Sequence, residues 1–267
     1  MNIEWKKVTL EDKAVLEPYY KYEQSSSCEA VFANNILWAP FYEMEYAIVE
    51  GMLVFLTKKD GYSISMPMAK DEATAKNLKQ VILAVENYFA EIGQEFHMHL
   101  VTKEKYERLE EIFPEKYSIE FNRDVADYVY EVSQMISLAG KKLHGKRNHI
   151  NKFKENNPEW SYESLSEDNL EECLQMAEEW KQKNLCGEKG EKHAEFCVTR
   201  RALKNYRELG LKGGVLKDGN RVVAFTLGEE LNKNMFVVHI EKAFADVQGA
   251  YPMINQQFLM KQQNTNM

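Results

Sequence analysis

Apolar and polar residues alternate at two different periods along this chain, and each change of period marks an element. Between Asp71 and Ile92 the residues Val81, Val85, Tyr88 and Phe89 recur at helical spacing, which predicts a long amphipathic helix. Ala47–Leu56 and Tyr62–Met66 read as strands joined through Lys58-Lys59-Asp60-Gly61, where Asp-Gly is a strong hairpin signal. Around them we expect a polar helix at Thr9–Tyr22, irregular aromatic structure at Phe32–Tyr46, a strand at Glu95–Val101, a helix at Lys103–Phe113 and a short strand at Tyr117–Phe121.

A second series begins near Val132. A helix there stops at Asn156-Asn157-Pro158, a strand follows at Ser161–Leu165, and Ser166 caps a helix at Leu170–Lys183. The polar segment Asn184–Lys192 reads as a loop, and Ala194–Leu209 as a helix closed by Gly210. Gly214–Lys217, Arg221–Glu230 and Met235–Ala243 then form a meander through the turns Asp218-Gly219 and Asn232-Lys233-Asn234. Gln248-Gly249-Ala250-Tyr251-Pro252 launches a last helix to about Lys261. The expected class is α+β, with mixed, mostly antiparallel sheets flanked by helices. A length of 267 residues fits two domains, 1–131 and 132–267.

Charge changes this picture at one place. The formal net charge is −8, which argues against general affinity for nucleic acid or membranes. Yet residues 140–154 hold six basic residues and two histidines without one carboxylate. Missing acids remove the usual salt-bridge explanation of a charged helix face, so the block reads as a local site for phosphates. Leu143, Ile150 and Phe153 supply a stripe by which such a helix, 138–154, can bury one side. Lys141, Lys142, Lys146 and Arg147 are its candidate anion-binding residues.

Candidate chemistry follows from the last strand and helix. Strict alternation puts His239 and Glu241 on one face, about 7 Å apart, opposite Phe236, Val238 and Ile240. That pair suits deprotonation of an amine nucleophile. Gly249 permits close backbone approach, and the helix start behind it offers N–H groups to a phosphate. Tyr251 and Asn255 lie one turn apart and point to the same cleft. Cys186, His193 and Cys197 fit no zinc spacing, and His97, His99, Trp38, Tyr42 and Tyr46 read as packing or edge residues. The Gly187 to Gly190 loop has no phosphate-binding spacing. Four scattered cysteines imply reduced thiols and a cytoplasmic protein, with no signal peptide and no membrane span.

The run from Leu138 to Phe153, with Gly140, Lys141, Lys142, His144, Lys146, Arg147, Asn148, His149 and Asn151, resembles the phosphatidylglycerol lysyltransferase C-terminal domain family. More distantly it is similar to Fem-type peptidoglycan aminoacyltransferases. The likeness extends to Ser27–Trp38, Asn122–Tyr130 and Gly213–Phe258. It implies two tandem GNAT-like acyltransferase modules, with aminoacyl-tRNA as donor and no cofactor required. The acceptor is then a small molecule, peptide or lipid. Without the glycine-rich pyrophosphate loop of acyl-CoA-binding GNAT enzymes, a coenzyme A thioester is the alternative donor, and a non-catalytic RNA- or phosphate-binding protein the alternative function. Family members usually continue past the last helix with further strands, whereas this chain ends in Lys261-Gln-Gln-Asn-Thr-Asn-Met267. That difference leads to the expectation that Phe236, Ile240, Ile254 and Phe258 lie uncovered and recruit a second copy of the chain in a homodimer.

Overall fold

The computed structural model describes residues 3–184 and 190–265, which divide into two compact units, 1–127 and 128–267. The division falls after Asp127. Among the described residues the chain is α+β, with one mixed and one antiparallel sheet.

The N-terminal unit contains β1 (Lys6–Lys7), α1 (Lys13–Glu23), α2 (Phe32–Tyr42), β2 (Glu45–Val49), β3 (Met52–Thr57), β4 (Ser63–Ser65), α3 (Glu72–Ala75), α4 (Leu78–Glu91), β5 (Met98–His99) and α5 (Lys103–Ile112). The strands lie in the order β1-β2-β3-β4-β5, antiparallel except for the parallel pair β4 and β5. A parallel pair needs a crossover, and α4 supplies it. Of its predicted stripe, Val81, Val85 and Phe89 are fully buried, with Ile82, against Val54, Leu56 and Ile64 of the sheet, and Tyr88 is partly buried beside them. Three expectations are corrected. The strand expected at Ala47–Leu56 is two strands, because Glu50 and Gly51 turn the chain in left-handed conformations. Phe32–Tyr42 is a helix, not irregular structure. Tyr117–Phe121 is not a strand; its Tyr117 packs on Phe96 and Phe113 and donates to Glu86 at 2.8 Å.

The C-terminal unit contains α6 (Val132–Ser137), α7 (His144–Asn156), β6 (Trp160–Ser164), α8 (Glu167–Asn184), α9 (Glu191–Lys204), α10 (Tyr206–Leu209), β7 (Lys212–Asp218), β8 (Arg221–Asn232), β9 (Met235–Ala243) and α11 (Ala250–Thr265). Its sheet runs β6-β7-β8-β9, antiparallel throughout. On one face α7 and α11 bury Ile150, Phe153, Met253 and Ile254 against Leu216, Ala224 and Ala243. On the other, Lys242 sits 4.1 Å above the Trp180 ring of α8 and pairs with Glu195 of α9.

The uncovered surface expected at the end of this unit does not exist. Ile254 and Phe258 are fully buried, Ile240 is 4% exposed, and Phe236 packs edge-on against Phe258 at 5.5 Å. Helix α11 covers its own sheet, so no second copy is needed to shield these side chains. Cys186 and Gly187, with most of the loop expected at Asn184–Lys192, lie outside the described residues.

Candidate functional site

The basic block is a turn followed by a helix rather than one helix from 138. Leu138 ends α6 in a left-handed conformation (φ +49°), Gly140 follows at φ +88°, and a short 3-10 turn at Lys141–Leu143 leads into α7. Ile150 and Phe153 bury the expected stripe, while Lys141, Lys142 and Lys146 stand exposed. Arg147 does something else. Its Nη1 donates to the carbonyls of Leu138 and, at 3.0 Å, Gly140, so the guanidinium fastens the turn that presents the lysines. Charge-assisted bonds of this kind are each worth about 1.5–3 kcal/mol at most when sheltered. Arg147→Ala should therefore destabilise the C-terminal unit by about 1–3 kcal/mol and speed amide exchange across 138–143, as measured by hydrogen–deuterium exchange. Unchanged exchange there would show that the turn holds without it.

Glu241 lies where the sheet meets α11. Facing residues in neighbouring strands share a side, so the row Ser164, Gly214, Thr226, Glu241 projects towards α7 and α11. Asn255 of α11 donates to Glu241 Oε2 at 2.9 Å. Burial raises the Glu241 carboxyl above its ordinary value, opposed by the Asn255 bond and by the positive charge of Lys146. Glu241 is thus a sheltered carboxyl with one amide donor and one nearby cation. Lys146 also lies 5.8 Å from the centre of the Tyr130 ring.

Tyr162 belongs to the same face and was not marked out by the sequence. A Cβ on Gly214 would fall 2.5 Å from its phenolic oxygen, so the tyrosine lies across the glycine towards Glu241. Two strand spacings separate Gly214 from Glu241, about 10 Å. The Tyr162 hydroxyl is buried without a hydrogen-bond partner among the described residues, and burial pushes its pKa well up. It is a neutral hydroxyl on the same face of the sheet as Glu241. The only sequence trace of this is an aromatic residue on a strand whose partner strand carries Gly213-Gly214, far along the chain.

His239 does not join Glu241. Pairing runs Phe236–Glu230, Val237–Glu229 and Val238–Gly228, then resumes as Ile240–Leu227 and Glu241–Thr226. His239 is the extra residue of a β-bulge, which shifts the parity of all that follows. Glu241 therefore sides with Phe236 and Val238, and Ile240 with Val237 and Glu229, correcting the alternation expected above. The His239 imidazole, 4% exposed, turns to Glu229 at 2.9 Å.

Gly249 is close to backbone, but to the protein's own. It adopts φ +84°, and a Cβ there would overlap the carbonyl oxygen of His149 and lie 3.0 Å from Phe153 Cβ. Its lack of a side chain lets the start of α11 press against α7. Tyr251 stands 38% exposed at the beginning of α11, one turn before Asn255.

Among the described residues no three His, Cys, Asp or Glu side chains gather as a metal site, and no helix is long and apolar enough to cross a membrane. No functionally curated protein matches the chain. A crystal structure of a conserved protein of unknown function from Bacteroides thetaiotaomicron VPI-5482 superposes with a TM-score of 0.87 at 32% identity, covering 97% of this chain and 86% of that one. A second, from Agrobacterium fabrum, is the C-terminal domain of a protein described as a lysylphosphatidylglycerol synthetase. It shares the fold, with a TM-score of 0.58 at 11% identity over 96% of this chain and 76% of that one. Residues 20–267 match the family described as phosphatidylglycerol lysyltransferase, C-terminal, and the chain belongs to that family.

Proposed function

We propose that the chain is a transferase that moves an aminoacyl group from a charged tRNA to an amine or hydroxyl acceptor, a phospholipid headgroup being the acceptor its family's name suggests. Its two units are read as GNAT-like modules, the C-terminal one carrying the chemistry. One observation carries this reading: Lys146 belongs at once to the exposed cations of the basic segment and to the surroundings of Glu241. A phosphate backbone held by Lys141, Lys142 and Lys146 would end beside the sheltered carboxyl.

There the acceptor nitrogen or oxygen attacks the ester carbonyl, and Glu241 takes the proton it sheds. Tyr162, a neutral buried hydroxyl, donates to the carbonyl oxygen as charge develops on it. The ester bond breaks, and the ribose oxygen leaves with the proton returned by Glu241. Asn255 holds the carboxylate in place through its 2.9 Å bond.

Binding of charged tRNA across a salt series tests the reading. Reversing Lys141, Lys142 and Lys146 together to Glu should flatten the log–log salt slope by about 0.7–0.9 per lost phosphate contact, and abolish binding at moderate salt. A triple variant that binds as tightly as the parent would remove tRNA as the donor. Binding lost in the variant, with no product from the parent on any acceptor, would favour an RNA-binding protein without catalysis.

A further inference from the structure

The N-terminal unit holds a cavity of about 40 Å³ that plays no part in the chemistry above. It lies at the carboxyl ends of β4 and β5, the customary place for a ligand between parallel strands. These strands pair only through Ile64–Met98 and Ser65–His99. Beyond them the chain turns away at Leu100, a non-glycine residue held at φ +55°. The space takes about three water-sized atoms.

Its polar lining includes several groups able to accept. Ser65 Oγ is buried with no hydrogen-bond partner among the described residues. Asn35 is 4% exposed, and its Nδ2 donates to the carbonyls of Glu29 (2.7 Å) and Val31 (2.9 Å), so Oδ1 is what this amide has left to offer. Ser63 Oγ donates to the His97 carbonyl at 3.3 Å and lies 2.7 Å from His99 Nδ1. In the tautomer that donates Nδ1–H to Ser63 Oγ, Nε2 of the neutral ring is an acceptor. Burial keeps that ring neutral, lowering its pKa to about 4.

The surrounding charge is negative. Glu29 lines the cavity, its carboxylate steadied by Asn34 Nδ2 at 2.7 Å. Asp127 accepts from the Cys28 amide at 2.9 Å. Both carboxylates, with burial, push the Cys28 thiol upwards, so a second anion is opposed here. The one cation in the lining, Lys105, is paired with Glu23 at 3.4 Å.

We propose that this cavity binds a primary ammonium group, with Glu29 as counter-charge and Ser65 Oγ, Asn35 Oδ1 and His99 Nε2 accepting its three N–H donors. An ammonium is compact and donates three bonds, which matches both the volume and the acceptor set. A hard metal ion would want six or more oxygens, several of them carboxylate, and one carboxylate lines the space. The site lies in the other unit from Glu241 and rests on none of the transfer chemistry, so failure of the tRNA experiment leaves it standing.

The test uses the full chain with methylammonium chloride as probe, followed by saturation-transfer NMR. Methylammonium should bind, and neither tetramethylammonium, which lacks N–H donors, nor potassium should displace it. Glu29→Gln, which keeps an amide oxygen for Asn34, should weaken binding at least about tenfold. Ser65→Ala should weaken it less, and serves alone if the first variant fails to fold by circular dichroism. No binding to the parent chain, unchanged binding by whichever variant folds, or displacement by potassium would overturn the proposal.

Discussion

Glu241→Gln is expected to slow the proposed aminoacyl transfer by about 10²–10⁴-fold, the usual contribution of a positioned base, while leaving tRNA affinity unchanged. The substitution keeps an oxygen for Asn255 Nδ2 and keeps the side-chain volume, so the bond at 2.9 Å survives and only proton transfer is lost. Single-turnover rates with pre-bound charged tRNA make the measurement. A rate within threefold of the parent would leave Glu241 as a structural carboxyl. In the parent, the rate should rise with pH as the carboxyl ionises, and that limb should sit above the ordinary carboxylate range, because burial raises Glu241. Stability runs the other way. Within the window between the ordinary and the raised value, the folded state holds a proton that the unfolded state has lost, so stability falls as pH rises through it. Glu241→Gln should remove that fall, which unfolding curves in acid and neutral buffers will show.

Gly249→Ala should destabilise the C-terminal unit by about 2–5 kcal/mol, a large share of what holds a domain of this size together. Two costs combine. An alanine at φ +84° meets the left-handed penalty of about 1–2 kcal/mol, and its methyl overlaps the His149 carbonyl oxygen. Relieving that overlap means moving α11 off α7, where Phe153, Met253 and Ile254 are fully buried together, at a typical overpacking cost of about 1–3 kcal/mol. The melting temperature should fall by roughly 10 °C. A fall of less than about 2 °C would mean that the two helices separate freely, and that their contact does not set the position of Asn255.

Much of the scaffold was legible in the sequence where period and punctuation agree. The meander β7–β9 follows from the turns at Asp218-Gly219 and Asn232-Lys233-Asn234 that separate its three runs, and α4 from its stripe of Val81, Val85 and Phe89. Helix α2 was hidden because Asn34 and Asn35 are buried alongside Phe32, Ala33, Ile36 and Leu37, so polar and apolar positions do not separate onto two faces. The site was legible only by residue type. A run of cations can be recognised, but whether Arg147 faces a phosphate or its own Leu138 and Gly140 carbonyls depends on a turn that composition does not encode. Glycine at 249 was rightly noticed as a place of close approach, yet the neighbour is α7. Tyr162 escaped because its exposure to the site depends on a glycine on the adjacent strand.

The bulge in β9 bears on how this strand tolerates gain and loss of residues. On either side of His239 the ladder is in step with β8, so Val238 and Ile240 would still face Gly228 and Leu227 if the histidine were absent. Position 239 is a neutral slot in the reading frame of the strand: an insertion absorbed without turning Glu241 over. An extra residue in this strand that entered the regular ladder, rather than a bulge, would carry that carboxyl to the side of Glu229. Deleting His239 is therefore expected to leave Glu241 beneath α11.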